Sequence, residues 1–165
     1  MQNPVLSTNA SSTEGILYWS YGISNRSSVL GIDYYPETIG RIGTRMEYLR
    51  VEAAIVQRVV NKELKWPHLR AIIEAKYGER GDAVMGCAQI LRTSARTQSV
   101  ENLVRLVEHF CLIRKYSDRE VMRDFSLGRN AFRESRRRYE GILEGWLRLS
   151  LDVLEDAFRE RGWVE

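Results

Sequence analysis

From Arg45 to Phe158 the apolar residues recur at three- and four-residue spacing, and no stretch of any length alternates apolar with polar. A helix repeats every 3.6 residues and a strand every two, so this one pattern argues for helices and against a sheet. Met46, Leu49, Ala53, Val56, Val59 and Val60 mark a helix from Arg45 to about Leu64. Pro67, favourable at a first helical position, restarts the chain ahead of Leu69, Ile72, Ile73 and Tyr77, and Gly78 ends that segment. "GERG" reads as a turn, after which Asp82 is a candidate cap for a helix through Val84, Met85, Ala88 and Leu91. Ser99 can cap the next, with Leu103, Leu106, Val107, Phe110 and Ile113 on one face. Beyond Tyr139 the pattern continues through Ile142, Leu143, Trp146, Leu147, Leu149, Leu154 and Phe158. Three prolines and few β-branched runs agree with an all-α fold.

The N-terminal part is different. "MQNPVLSTNASSTEG" is polar, lacks a basic stretch before an apolar one, and reads as a disordered leader over residues 1–15 rather than a signal peptide. Residues 16–44 are aromatic and rich in Gly and Ser, with a short helix over Leu17 to Ile23 and loop thereafter. Tyr34 and Tyr35 before Pro36 are pushed toward extended backbone, and the aromatics are expected to form a small satellite core.

A chain of 165 residues, 44% apolar and 28% charged, is large enough to bury a core as one domain. The expected division is a helical body over 16–112, with its aromatic N-terminal segment, and a motif plus C-terminal helix over 113–165 packed onto it. No run approaches the ~18 apolar residues that span a bilayer, so a membrane partner is not expected. Cys87 and Cys111 each fall in an apolar helical pattern and read as buried free thiols, as expected of an intracellular chain. His68 and His109 share no ligand spacing with them, and there is neither a phosphate-binding glycine loop nor a CxxC or HExxH pattern. Carboxylates are scattered among basic residues on helix faces, and His109 reads as a core-edge residue. No metal, no cofactor and no enzymatic activity are expected. Gly141 and Gly145, four apart, each cost about 1 kcal/mol of helix propensity and are expected to let a neighbouring helix of the same core approach.

Net charge is only +3, but it is unevenly spread. Between Ile113 and Arg138 nine basic residues face four acidic ones, +5, leaving −2 for the rest. Such a concentration suits a local polyanion-binding surface. Within it, Ser117-Asp118-Arg119-Glu120 is a capping box that starts a helix carrying Val121, Met122 and Phe125. Ser126-Leu127-Gly128 then interrupts, with Leu127 as the apolar plug, and a second helix follows from Arg129 with Phe132 packing back. This is the apolar skeleton of a helix-turn-helix, although Ser135 stands where a core residue is commoner. The second helix would direct Arg129, Asn130, Arg133, Glu134 and Arg137 outward, residue types suited to guanine, adenine and cytosine edges. Arg136 and Arg138, with Arg119, Arg123, Arg114 and Lys115, would lie near phosphates. The expected partner is double-stranded DNA.

"EVMRDFSLGRNAFRESRRR" resembles the helix-turn-helix of bacterial sigma-factor region four. The whole order of segments looks like the smaller class of lambdoid-phage late-gene antiterminator Q proteins. The order runs "YWSYG", "DAVMGCAQILR", "VENLVRLVEHFCLIRKYS", the helix-turn-helix, then "RRRYEGILEGWLRLSLDVLED". The closest piece is "YEGILEGWLRLSLDVLE", and the resemblance covers Asp82 to about Asp156. The Q protein of phage lambda itself carries a zinc-binding cysteine cluster; this class, like this chain, does not. The resemblance implies a cytoplasmic factor in a bacterial host that binds DNA near a late promoter and engages paused RNA polymerase while sigma is present. Such a factor then travels at the RNA exit channel and keeps hairpins from forming. It implies that Arg129 to Arg138 is the DNA-reading helix, bound as one or more protomers, and that the body from Arg45 to Ile113 is the natural polymerase-facing part. The residues alone leave two other readings: a helix-turn-helix phage repressor or sigma-like activator, and a small terminase subunit.

Overall fold

The computed structural model describes residues 6, 11–29, 39–94, 98–114, 116–124 and 128–165. Among them there are seven helices and no strand: α1 Thr13–Val29, α2 Ile39–Glu63, α3 Pro67–Gly78, α4 Gly81–Arg92, α5 Val100–Phe110, α6 Asp118–Asp124 and α7 Arg129–Arg159. The chain is all-α, as its periodicity requires, and ends in a long C-terminal helix. It divides into two compact units, Met1–Lys65 with Leu151–Glu165, and Trp66–Ser150.

The first unit is built on α1 packed against α2. Ile16, Leu17 and Tyr21 of α1 are buried, as are Ala53, Val56, Val59, Val60 and Leu64 in and just after α2. The aromatic segment thus contributes a core, but as a 17-residue helix rather than the short helix and loop its composition implies. The start explains part of the difference: the Ser12 hydroxyl accepts the Gly15 N–H at 3.1 Å and the Ser12 carbonyl accepts the Ile16 N–H at 3.0 Å. The leader therefore yields to a capped helix at Thr13. Helix α2 likewise begins six residues before Arg45, through Gly40 and Gly43, whose propensity cost of about 1 kcal/mol each weakens a helix without forbidding it. Tyr34 and Tyr35 lie outside the described residues.

The last turns of α7 belong to this unit and end in a Schellman motif. Gly162 takes the left-handed conformation at φ 70°, its N–H bonds the Arg159 carbonyl at 2.9 Å, and the Trp163 N–H bonds the Phe158 carbonyl at 2.9 Å. The accompanying apolar contact is Phe158 on Trp163, ring centres 5.3 Å apart. Arg161 is tied to Glu63 at 3.0 Å.

In the second unit α3 packs on α4, α4 on α5, and α5 on α6. Pro67 occupies the first turn of α3 as its position in the sequence predicts. Asp82 does not cap α4. Arg80 holds that position, and Asp82, the second residue of the helix, forms an ion pair with the Arg80 guanidinium that lowers its carboxyl's proton affinity. Ser99 does cap α5, accepting the Asn102 N–H at 3.2 Å. That helix stops at Phe110, short of Ile113, because Leu112 turns left-handed at φ 62°. The Ile113 N–H then closes back on the Glu108 carbonyl at 3.0 Å and the Leu112 N–H on that of His109 at 3.2 Å, a second Schellman closure with leucine where glycine is usual.

One stripe of α7 is buried: Phe132, Tyr139, Leu143, Leu147 and Ser150. The Ser150 hydroxyl lies 3.0 Å from the Leu69 carbonyl and 2.7 Å from that of Trp146, joining α7 to α3. Leu149, by contrast, is half exposed. Gly141 and Gly145 are exposed too, with no atom within 4 Å of where a Cβ would stand. The expectation that they admit a neighbouring helix of the same core is therefore corrected: they fall opposite the buried stripe.

Cys87 and Cys111 are buried free thiols. Burial pushes each from an ordinary value near 9.0 up to about 12, in Cys87 with a further contribution from Cys111 itself. The unfolded chain gives up these protons near pH 9 and the folded chain near 12, so the folded state binds more protons in that window. Stability is full below about pH 9 and falls as pH rises, by up to about 1.4 kcal/mol per pH unit for each thiol. Urea midpoints taken at pH 8 and pH 10.5 should fall more for the wild type than for a Cys87→Ala/Cys111→Ala variant. Equal falls would show that the thiols contribute nothing to the alkaline loss.

Candidate nucleic-acid interface

The arginine-rich segment is built from α6 and the first turns of α7. The Ser117 capping box forms as its spacing predicts: the Ser117 N–H donates to the Glu120 carboxylate at 2.8 Å, and the Glu120 N–H to the Ser117 hydroxyl at 3.3 Å. Hydrogen bonding from Ser117 also holds the Glu120 carboxyl below its usual range. Val121 of α6 and Phe132 of α7 are both buried, so each helix turns an apolar residue inward. Phe125, Ser126 and Leu127 lie outside the described residues, and the plugged turn proposed for them is not described. What is established is the flanking pair of helices with Gly128 at the start of α7, where its carbonyl accepts the Phe132 N–H at 2.8 Å.

Five arginines, Arg119, Arg129, Arg133, Arg136 and Arg137, line one open groove of about 790 Å³ together with Phe132 and Glu140. Among the described residues lining it, five cations stand against one carboxylate, +4. The sequence separates Arg119 from the others by a turn; the fold brings it to the same concavity. Arg119, Arg129, Arg133 and Arg137 are exposed, and none has an ion-pair partner among the described residues. No acidic residue stands in the first turn of α7, so the positive end of a 31-residue helix adds to this field instead of being offset by it. Arg129, Arg133 and Arg137 are also spaced four apart, where like charges repel by roughly 0.2–0.5 kcal/mol a pair. Among the described side chains no counter-charge offsets this repulsion, so these arginines keep a positive field at the surface.

Arg136 is the exception. It was expected near phosphates, yet its side chain is only 20% exposed, with Nε 2.6 Å from Glu140 and Nη2 3.0 Å from the Nε2 of His109. Because a guanidinium only donates, His109 accepts at Nε2 and carries its proton on Nδ1, which is buried with no partner among the described residues. The physical reason lies in register: Phe132, Arg136, Tyr139 and Leu143 follow at four, three and four residues, so Arg136 occupies a core position and needs internal partners. Attention to that spacing, rather than to Ser135, which is half-buried on the flank, would have found it in the sequence.

Asn130, Glu134 and Arg138 are exposed and stand outside the groove, on the next spiral of α7. Arg123 is exposed on α6, where its charge acts on Glu120. Arg114 is drawn into a cluster of its own, held more firmly protonated by a hydrogen bond with Tyr116 and by Glu108. The Tyr116 hydroxyl donates to Glu108 at 2.5 Å. Lys115 lies outside the described residues. Among the described residues no group of His, Cys, Asp and Glu is arranged to hold a metal ion, and no helix is long and apolar enough to cross a membrane. Compared with protein-family models, curated proteins and solved structures, the chain matches none.

Proposed function

We propose that this protein binds double-stranded DNA through α6 and α7 and acts as a transcription antitermination factor of the phage late-gene kind. The observation that carries the DNA reading is the groove where four exposed arginines converge and where, among the described residues, the one lining carboxylate is already engaged by Arg136. A local field of this kind on a chain of +3 net charge favours a phosphate backbone over a diffuse ionic partner. The antiterminator reading adds the sequence resemblance between Asp82 and Asp156. It makes RNA polymerase, with sigma still attached at the pause, the second partner and the bacterial cytoplasm the place of action. No catalytic role is assigned to any residue.

The test is transcription on a template that joins a phage late promoter to a distant terminator. Increased readthrough with unchanged initiation is the expected result. Altered initiation with no readthrough would replace this reading by that of a repressor or sigma-like activator. A stable ring by light scattering, with neither effect on transcription, would favour a terminase subunit.

A further inference from the structure

Accepting the DNA-binding reading, we infer that the arginine spiral Arg129, Arg133 and Arg137 clamps a phosphate strand with Arg119, and that Asn130, Glu134 and Arg138 read the bases. This inverts the division that residue type alone implies, in which the first three read bases and Arg138 binds phosphate. The reason is shape. Base edges form the floor of the DNA major groove, a trench about 12 Å wide, and a side chain reaches them only from a convex protein surface that enters it. Side chains lining a concavity in the protein meet only what protrudes into that concavity. On duplex DNA the protruding part is the sugar-phosphate ridge.

The structure sorts the residues accordingly. Arg119, Arg129, Arg133 and Arg137 line the groove between α6 and α7. Residues four apart advance about 40° around a helix, so 129, 133 and 137 form one slow spiral and 130, 134 and 138 the next, about 100° further round. That second spiral is exposed, does not line this groove, and lies on the side of α7 opposite Phe132, Tyr139 and Leu143. Its chemistry is that of a reading face: an amide for adenine, a carboxylate for the cytosine amino group and a guanidinium for guanine. The carboxylate is decisive, since Glu134 placed against phosphates would be repelled and placed against a base edge accepts a hydrogen bond. The arginines of the groove carry the same guanidinium as Arg138, but set together in a concavity with no amide or free carboxylate among its lining residues they offer only donors and charge, which suits a uniform phosphate backbone. Arg136 belongs to neither set; it lines the groove beside Glu140, with its guanidinium held by Glu140 and His109.

Selection from a pool of random-sequence duplexes tests this, run with wild type, Arg133→Ala, Arg138→Ala and Glu134→Ala, alongside titration of one fixed mixed-sequence 30-base-pair duplex. Arg133→Ala should select the wild-type consensus, bind the fixed duplex about tenfold more weakly, and lower the magnitude of the salt slope by about 1. Arg138→Ala and Glu134→Ala should relax or change the consensus at one position each. Glu134→Ala should also bind the fixed duplex no more weakly than wild type. A changed consensus for Arg133→Ala, or an unchanged one for both of the others, overturns the assignment while leaving DNA binding in place. Failure of the wild type to bind any duplex overturns the DNA reading and this assignment with it.

Discussion

Replacing Arg129, Arg133 and Arg137 together by alanine is expected to abolish most DNA binding while leaving the protein folded. If each arginine neutralises one phosphate, the slope of log affinity against log salt should shrink by about 2.7, at roughly 0.9 per phosphate. At about 1 kcal/mol or more per lost contact, affinity for any duplex should drop on the order of a hundredfold or more. The fold should not suffer. All three side chains are exposed, alanine is the strongest helix former, and two like-charge pairs four residues apart are removed. Thermal unfolding followed by circular dichroism should therefore give an equal or higher midpoint. A triple variant that binds with the wild-type salt slope would show that the groove is not the DNA contact.

The second large effect is expected from Phe132→Ala, which removes no charge at all. Phe132 is 3% exposed, one turn into α7, and its ring forms part of the groove lined by the arginines. Truncating a buried aromatic costs about 3–5 kcal/mol through lost transfer energy and the cavity left behind. A domain is stable by only about 5–15 kcal/mol, so this is a large share. Urea unfolding should show the loss, and DNA affinity should fall with it, since Arg129 and Arg133 on either side lose their anchor. Phe132→Leu keeps most of the volume and should keep most of both. Unchanged stability in Phe132→Ala would mean that α7 is held at its start by other contacts, and that the local core assigned to this motif is wrong.

Much of this was legible before any coordinates. The period of the apolar residues dictates helices because only a 3.6-residue repeat gathers Leu103, Leu106 and Val107, or Leu143, Leu147 and Leu154, onto one face. Capping chemistry is equally local: Ser99 and the Ser117 box act within four residues, and both form as their spacing predicts. Local signals of nearly equal strength do not decide between neighbouring cap positions or helix ends. Asp82 is a good cap by type, yet Arg80 takes the position, and α1 extends well past Leu17 to Ile23 through a Gly- and Ser-rich sequence.

The sequence by itself determined an all-α chain, the starts of α5, α6 and α7, the buried thiols and the place along the chain where positive charge collects. Each of these depends on residues within a few turns of one another. Only the tertiary structure decided how that charge is used. Arg136 and its neighbours are equivalent as residue types, but packing puts Arg136 at the edge of the buried stripe, held by His109 and Glu140. Packing also brings Arg119 from another helix to the groove of Arg129, Arg133 and Arg137, and leaves Asn130, Glu134 and Arg138 exposed outside it. Spacing fixes which face of a helix a side chain occupies; whether that face is a wall, a groove or a ridge depends on what packs beside it.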